Sequence, residues 1–302
     1  MKVTKLLFIV IFIASALLFF IIVSHFSSID VYDDVNIIIQ DANPEIARNL
    51  ILSTCFQCHY SSTHKALSGR MHGNPKRLGD FYSSNITQDT LTGIGNWTER
   101  ELYIFFRTGI KKDGTVAFDM PKYPLLSEQD LSALILFLKS NDPIVRPVKN
   151  EIPVPKYSFF AKLYIKYFHK PEKLPTSLVL HPDTSNLFDL GKYLVNAKYS
   201  CFDCHSKNSI TNNYSFPEQS LGYLKGGNRH ANEKREIIYT PGIILNDNYK
   251  SGLYTVGEFH NLLTRGVKRN GDPVLDPMFP YPFLNETETK AIYTYLQNCC
   301  NE

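Results

Sequence analysis

Net charge of one sign is what this sequence lacks most. Lys and Arg number 32 and Asp and Glu 29, a formal +3 over 302 residues. Lys2 and Lys5 are the only charged residues among the first 29, so the remainder holds 32 − 2 = 30 basic against 29 acidic side chains. A nucleic-acid-binding chain needs a basic stripe to neutralise phosphates, and this balance argues against nucleic acid as a partner. Methionine is also scarce: Met1, Met71, Met120 and Met278 are the only four. The apolar share is 43%, which is not a disordered composition. The length suits two domains of ordinary size or one large one.

Leu6 to Val23 is a run of 18 positions without a charge, rich in Leu, Ile, Phe and Val. As a helix it spans about 27 Å, close to a bilayer's hydrocarbon core. Lys2 and Lys5 precede it, and the positive-inside rule puts that end in the cytoplasm. A cleaved signal is the alternative, but its apolar region is usually shorter, with small residues at the cut. Either reading exports the rest of the chain, and residues 1–25 are set apart as membrane anchor or signal segment.

Four of the six cysteines fall in two identical patterns, Cys55-Phe56-Gln57-Cys58-His59 and Cys201-Phe202-Asp203-Cys204-His205. CxxCH is the attachment signature of c-type haem. Two thiols add across the two vinyl groups of the porphyrin, and the following histidine becomes the proximal iron ligand. A lone CxxC also serves as a redox dithiol or half a zinc site. A repeated histidine after both pairs points to two covalently bound haem c groups, attached through Cys55 and Cys58 and through Cys201 and Cys204, with His59 and His205 on iron.

The chain repeats itself at an offset of 157. Gly95 to Glu101 pairs with Gly252 to Glu258 (252 − 95 = 157), and Gly109 to Gly114 pairs with Gly266 to Gly271. Each copy reads as three helices. The first precedes the CxxCH: Asn43 caps a helix from Pro44 to about Thr54, and its twin runs from about Asn186 to Ala197. The second opens at a capping box, Thr98 with Glu101 or Thr255 with Glu258, and stops at Gly109 or Gly266. The third opens at Ser127 or Asn285. The intervening Gly-, Pro- and Asn-rich stretches read as loops, not strands.

Met120 and Met278 match within one residue of register, each between the second and third helix and each beside proline. Proline stiffens such a loop and removes amide donors, which suits a thioether held against iron as the sixth ligand. His/Met ligation raises the reduction potential. The bland alternative is a gap-filling core methionine. His72, 13 residues after His59, is a rival ligand candidate; Asn85, Trp97 and Tyr254 either pack near the haems or belong to the core.

Asn85-Ile86-Thr87-Gln88-Asp89, Thr92-Gly93-Ile94-Gly95-Asn96-Trp97-Thr98, Arg107-Thr108-Gly109, Asp113-Gly114 and Met120-Pro121 together resemble the cytochrome c subunits of bacterial membrane alcohol, aldehyde and gluconate dehydrogenases. The repeat and the N-terminal apolar run give an all-α fold of two tandem cytochrome c-type haem domains after an N-terminal membrane helix, where family members often attach through the C-terminus: domain 1 at 42–142, a proline-rich linker at 143–185 and domain 2 at 186–300, and the resemblance covers both repeats. It implies an electron carrier at the bacterial inner membrane, on the periplasmic side, exchanging electrons with a dehydrogenase, a quinone-linked complex or an oxidase. Family members typically carry three haems, whereas this chain has two CxxCH motifs, and the second repeat lacks the Asn-Ile-Thr string.

The linker's segment from Tyr157 to His169 is aromatic and basic. It reads either as an amphipathic helix touching lipid or a partner, or as a connector packed across both domains. Cys299 and Cys300 fit no haem pattern. Two other functions compete with the carrier. A di-haem peroxidase also has two distant CxxCH motifs but needs one iron with an openable site. A haem-based sensor would need a signalling domain, and none accompanies these motifs.

Overall fold

The computed structural model describes residues 11–13, 15, 16, 37–73, 79–118, 120–231, 236–245 and 254–300. The N-terminal run read as a membrane helix lies outside this set except for residues 11–13, 15 and 16, which are helical. Among the described residues no helix is long and apolar enough to cross a membrane.

The fold is mostly helical. Helix α1 (Pro44–Thr54) starts where Asn43 Oδ1 accepts the Glu45 amide, with Pro44 at the first position where no amide is needed. It runs almost directly into a one-turn helix, α2 (Phe56–His59), which carries the first CxxCH. Helix α3 (Glu99–Thr108) opens on the reciprocal Thr98–Glu101 capping box and ends at Gly109, whose φ of +82° is the left-handed cap. Helix α4 (Glu128–Leu138) is capped by Ser127 and buries Leu131, Leu134, Ile135 and Leu138. It packs against both α1 and α3.

The second copy repeats the plan. Helix α6 (Leu187–Tyr193) follows the connector helix α5 (Phe159–Tyr167) and continues as a π-helical turn over Leu194–Lys198. Then come α7 (Cys201–His205), α8 (Val256–Arg265) between a Thr255–Glu258 capping box and Gly266, and α9 (Glu286–Asn298), capped by Asn285 and Glu288. Helix α9 packs against α6 and α8 as α4 does against α1 and α3. At the α6–α9 crossing a Cβ on Gly191 would stand 2.0 Å from the Ala291 carbonyl oxygen, so only glycine lets the two backbones approach.

Loop hydrogen bonds are duplicated as well. Ile86 N donates to Leu67 O and Ile243 N to Leu224 O; Tyr123 N donates to Phe106 O and Tyr281 N to Leu263 O. The copies differ in length before these bonds: Leu67 lies eight residues after His59, and Leu224 lies 19 after His205. The additional residues form two short 3-10 turns, Ser209–Thr211 and Pro217–Gln219.

Two small ribbons correct the reading of the intervening segments as loops alone. Strands β1 (Met71–Gly73), β2 (Gly79–Tyr82) and β3 (Lys156–Tyr157) form one antiparallel sheet, and β4 (Arg229–Ala231) pairs with β5 (Ile237–Tyr239). These strands are two to four residues long and lack the alternating pattern by which strands are recognised.

The copies are fastened to one another. Tyr193 Oη of α6 donates to Asp130 Oδ2 of α4 at 2.5 Å and accepts the Ser127 amide at 3.1 Å, all buried. The Glu128 amide donates to Val179 O of the connector. The connector packs against both copies through one side of its helix, as the second of its two readings expects. One side of α5 packs inward: Ala161 is buried, and Tyr164 sits against Phe118 and donates to Ile210 O. Its other side is open to solvent.

Candidate haem-attachment sites

Both histidines of the CxxCH motifs are buried and held identically. His59 Nδ1 lies 2.7 Å from the Ser84 carbonyl oxygen, and His205 Nδ1 lies 2.9 Å from the Pro241 carbonyl oxygen. A carbonyl only accepts, so Nδ1 carries the proton and the lone pair belongs to Nε2. This is the tautomer and the support that an iron-ligating imidazole requires. Burial also holds His205 below the usual imidazole range, which keeps it neutral.

The chain wraps each histidine from the other side too. Gly69 N donates to His59 O and Gly226 N to His205 O. Both glycines have positive φ, +81° and +74°. A Cβ on Gly69 would stand 2.4 Å from Ser83 O, and one on Gly226 2.4 Å from Gly242 N. Ser83 Oγ further donates to Cys58 O at 2.5 Å.

Cys55 is buried, Cys58 and Cys201 are half-buried and Cys204 is exposed. Burial pushes the Cys55 thiol up to about 11 and the Cys201 thiol up to about 12. Such a site disfavours thiolates but accommodates uncharged thioethers. Donor chemistry, histidine tautomer and thiol environment therefore fit covalently attached haem at both motifs. Tyr123 and Tyr281 are buried and belong to one continuous core with Cys55, and Cys201 packs against that core.

Met120 and Met278 are partly buried against the core, each on the loop that enters the third helix of its copy. The first loop is latched by Arg107, a fully buried side chain on α3. Its Nη1 donates to the carbonyl oxygens of Tyr123 (3.2 Å), Pro124 (3.0 Å) and Leu126 (2.5 Å), and its Nη2 to Glu128 Oε1 (2.8 Å). At the matching place in the second copy is Thr264, which bonds back to His260 O within its own helix. Sequence reasoning quoted Arg107 only as part of a motif, and it missed the two tyrosines. Each follows its methionine by three residues, Met120 to Tyr123 and Met278 to Tyr281, so the repeat offset was the available signal.

Of the other candidates, Asn85 is structural: its Nδ2 donates to Val148 O and Thr92 Oγ1, and its Oδ1 accepts from Thr87. Trp97 packs edge-on against Phe105, and Tyr254 lies under the Arg269 guanidinium. The His72 side chain lies outside the described residues. Cys299 and Cys300 place their Sγ atoms 2.9 Å apart at the end of α9, away from both patterns in sequence.

These observations agree with comparisons to known proteins. The chain is 28% identical over 165 residues to the cytochrome c subunit of a quinone alcohol dehydrogenase from Gluconobacter oxydans, covering 51% of this chain and 33% of that one. It is 29% identical over 195 residues to the fructose dehydrogenase cytochrome subunit of Gluconobacter japonicus, covering 61% of this chain and 38% of that one.

The chain resembles the cytochrome c subunits of bacterial dehydrogenases.

One of the subunits of nicotinate dehydrogenase from Pseudomonas putida matches over a longer stretch, 28% identical over 260 residues, or 81% of this chain and 20% of that one. The chain spans between a fifth and two-fifths of the length of these relatives. No family model matches it. A Kuenenia stuttgartiensis reducing HAO-like protein complex aligns over 87% of the chain at 14% identity, with a TM-score of 0.24, too low to compare folds.

Proposed function

We propose that this chain is a two-haem cytochrome c that carries single electrons between redox partners, one of them a dehydrogenase. The observation that carries the reading is the duplicated imidazole–carbonyl pair, His59 with Ser84 O and His205 with Pro241 O, each inside a CxxCH motif.

Covalently bound haem c supplies the one-electron couple when attached. The protein's residues have separable tasks. Cys55 and Cys58, and Cys201 and Cys204, provide the thioether anchors. His59 and His205 are the proximal ligands, fixed by backbone carbonyls. Met120 and Met278, partly buried on matching loops, would supply thioether ligands to the two irons and leave them no site for exogenous ligands. Arg107 holds the Met120 loop in place from within the core. Residues 42–142 and 186–300 form the two haem domains, joined by 143–185. Leu6 to Val23 holds the chain in the bacterial inner membrane with the haem domains on the periplasmic side.

Electron paramagnetic resonance on haem-loaded protein tests this reading, in the fully oxidised and half-reduced states, beside Met120→Ala and Met278→Ala. Two low-spin irons in both states, with one site opened by each substitution, are expected. A high-spin iron in the parent protein, or an axial ligand exchanged on half-reduction, would overturn the carrier and point to peroxide chemistry.

A further inference from the structure

From Ile152 to Pro171 the sequence contains no Asp or Glu but contains Lys156, Lys162, Lys166 and Lys170 among six aromatic residues. The structure separates this segment into two sides. Tyr157 packs against Phe81 and Phe118, while Tyr164 reaches Phe118 in one copy and Ile210 O in the other, so the inner side is fixed to the body. The outer side presents Phe159 at 69% exposure, Phe160 at 79%, Leu163 at 37% and, just past the helix end, Phe168 at 67%. At 100° per residue, Phe159, Phe160 and Leu163 fall within about one quadrant of the helix, Lys162 and Lys166 lie along one border of it, and Phe168 follows at the helix end. All four lysines of the segment are exposed.

A soluble protein gains nothing by holding three phenylalanines in water on a helix whose other side is firmly seated. The surroundings identify what covers them. Cations without a single interspersed anion complement an anionic surface, and long lysine stems can lie along apolar surface with their ammonium groups in the headgroups. Aromatic rings flanked by lysines on a short, non-spanning helix are the pattern of a helix lying in the membrane plane. A protein partner covering this patch would have to meet it with acidic groups around an apolar centre; a bilayer containing anionic phospholipid offers both everywhere on its surface.

We propose that α5 is an interfacial helix that seats the body of the protein on an anionic phospholipid surface through Phe159, Phe160, Leu163 and Phe168, with Lys162 and Lys166 in the headgroups. This contact is separate from the N-terminal apolar run and does not depend on it. It would fix which side of the body faces the membrane, something a single point of attachment cannot do.

The full-length, haem-loaded protein is reconstituted in nanodiscs whose lipids carry a photoactivatable diazirine in the acyl chain, in phosphatidylglycerol or in phosphatidylcholine alone. Labelled peptides are then mapped by mass spectrometry. Labelling within 158–168 is expected in phosphatidylglycerol, falling about tenfold or more in phosphatidylcholine and in Lys162→Glu/Lys166→Glu, given the contribution of each cation near an anionic surface. Phe159→Ser/Phe160→Ser should abolish it. All these residues are exposed, so haem spectra and thermal unfolding should match the parent. Absence of label at 158–168 in phosphatidylglycerol overturns the proposal. So does protection of that segment from an aqueous footprinting reagent in detergent at high but not low protein concentration, which would mean a second copy covers it. Label at 6–23 is read separately and reports only on the anchor, so the two membrane contacts succeed or fail independently.

Discussion

Arg107 and Glu128 form an ion pair 2.8 Å long with both side chains withdrawn from solvent, and the same guanidinium holds three carbonyl groups of the Met120 loop. Helix α3 is thereby tied to the start of α4 through the loop between them. Tyr103 Oη also donates to Glu128. A charge buried this deeply is tolerated because its partners were assembled by the fold beforehand.

Removing Arg107 should therefore be costly. Arg107→Leu leaves Glu128 buried without its counter-charge, and a loss of about 3–5 kcal/mol is expected in chemical denaturation of the haem-loaded protein. Thr264→Leu, at the matching place in the second copy, should cost far less, because no loop depends on it. Equal losses at both positions would show that the latch contributes nothing particular.

The glycines behind His59 and His205 give a second test. Gly69→Ala and Gly226→Ala place a methyl group against backbone atoms in a positive-φ turn. Each should destabilise by at least about 1–3 kcal/mol and lower haem incorporation at its own motif. On the two-haem proposal, haem content per chain, by pyridine haemochrome, should be two in the parent and fall towards one in either variant.

Helix crossing supplies a third. Gly191→Ala forces α6 away from α9, where Ala291 O occupies the space. A loss of about 1–3 kcal/mol is expected, read as a lower thermal midpoint. A matched substitution at Gly257, where a Cβ meets nothing within 4 Å, should be neutral or slightly stabilising.

Acid should act through Glu258. Hydrogen bonds from Arg269, then from the Thr255 amide, hold its carboxyl at about 2, below its ordinary 4.5. A depressed carboxyl contributes stability above its unfolded value and loses it as pH falls. The stability difference between parent and Glu258→Gln should be full above about pH 5, shrink between 4.5 and 2, and vanish below. The pair is exposed, so added salt should reduce the difference at any pH. A difference that persists at the lowest pH would show that the carboxylate charge is not its source.

Thiol chemistry checks the assignment of the six cysteines. Thioethers survive mild reduction, so the reduced and denatured haem-loaded protein should titrate two thiols, Cys299 and Cys300, and the haem-free chain six. Four thiols in the loaded protein would mean that one motif is not a haem site.

Much of this was legible in the sequence. Helix ends were, because their signals are local: Asn43 with Pro44, Thr98 with Glu101, and Asn285 with Glu288 all cap the helices they were expected to cap. The histidine supports were not, since a carbonyl at Ser84 or Pro241 has no side-chain signature and meets its histidine only across a sequence separation of 25 or 36. Arg107 stood in the sequence only as part of a quoted motif; its burial is a tertiary fact. The short ribbons escaped notice because strands of two to four residues are too short to show an alternating pattern, and β3 meets β2 only where the connector reaches back. The π-helical turn at Leu194–Lys198 also had no signal, since the apolar spacing there reads as ordinary helix.

The bonds from Tyr193 to Ser127 and Asp130 have one more consequence. They bridge the copies directly, bypassing the long proline-rich connector. The spacing of the two copies is therefore set at a buried seam as well as by the connector, and a single Tyr193→Phe would loosen that seam with no change in chain length at all.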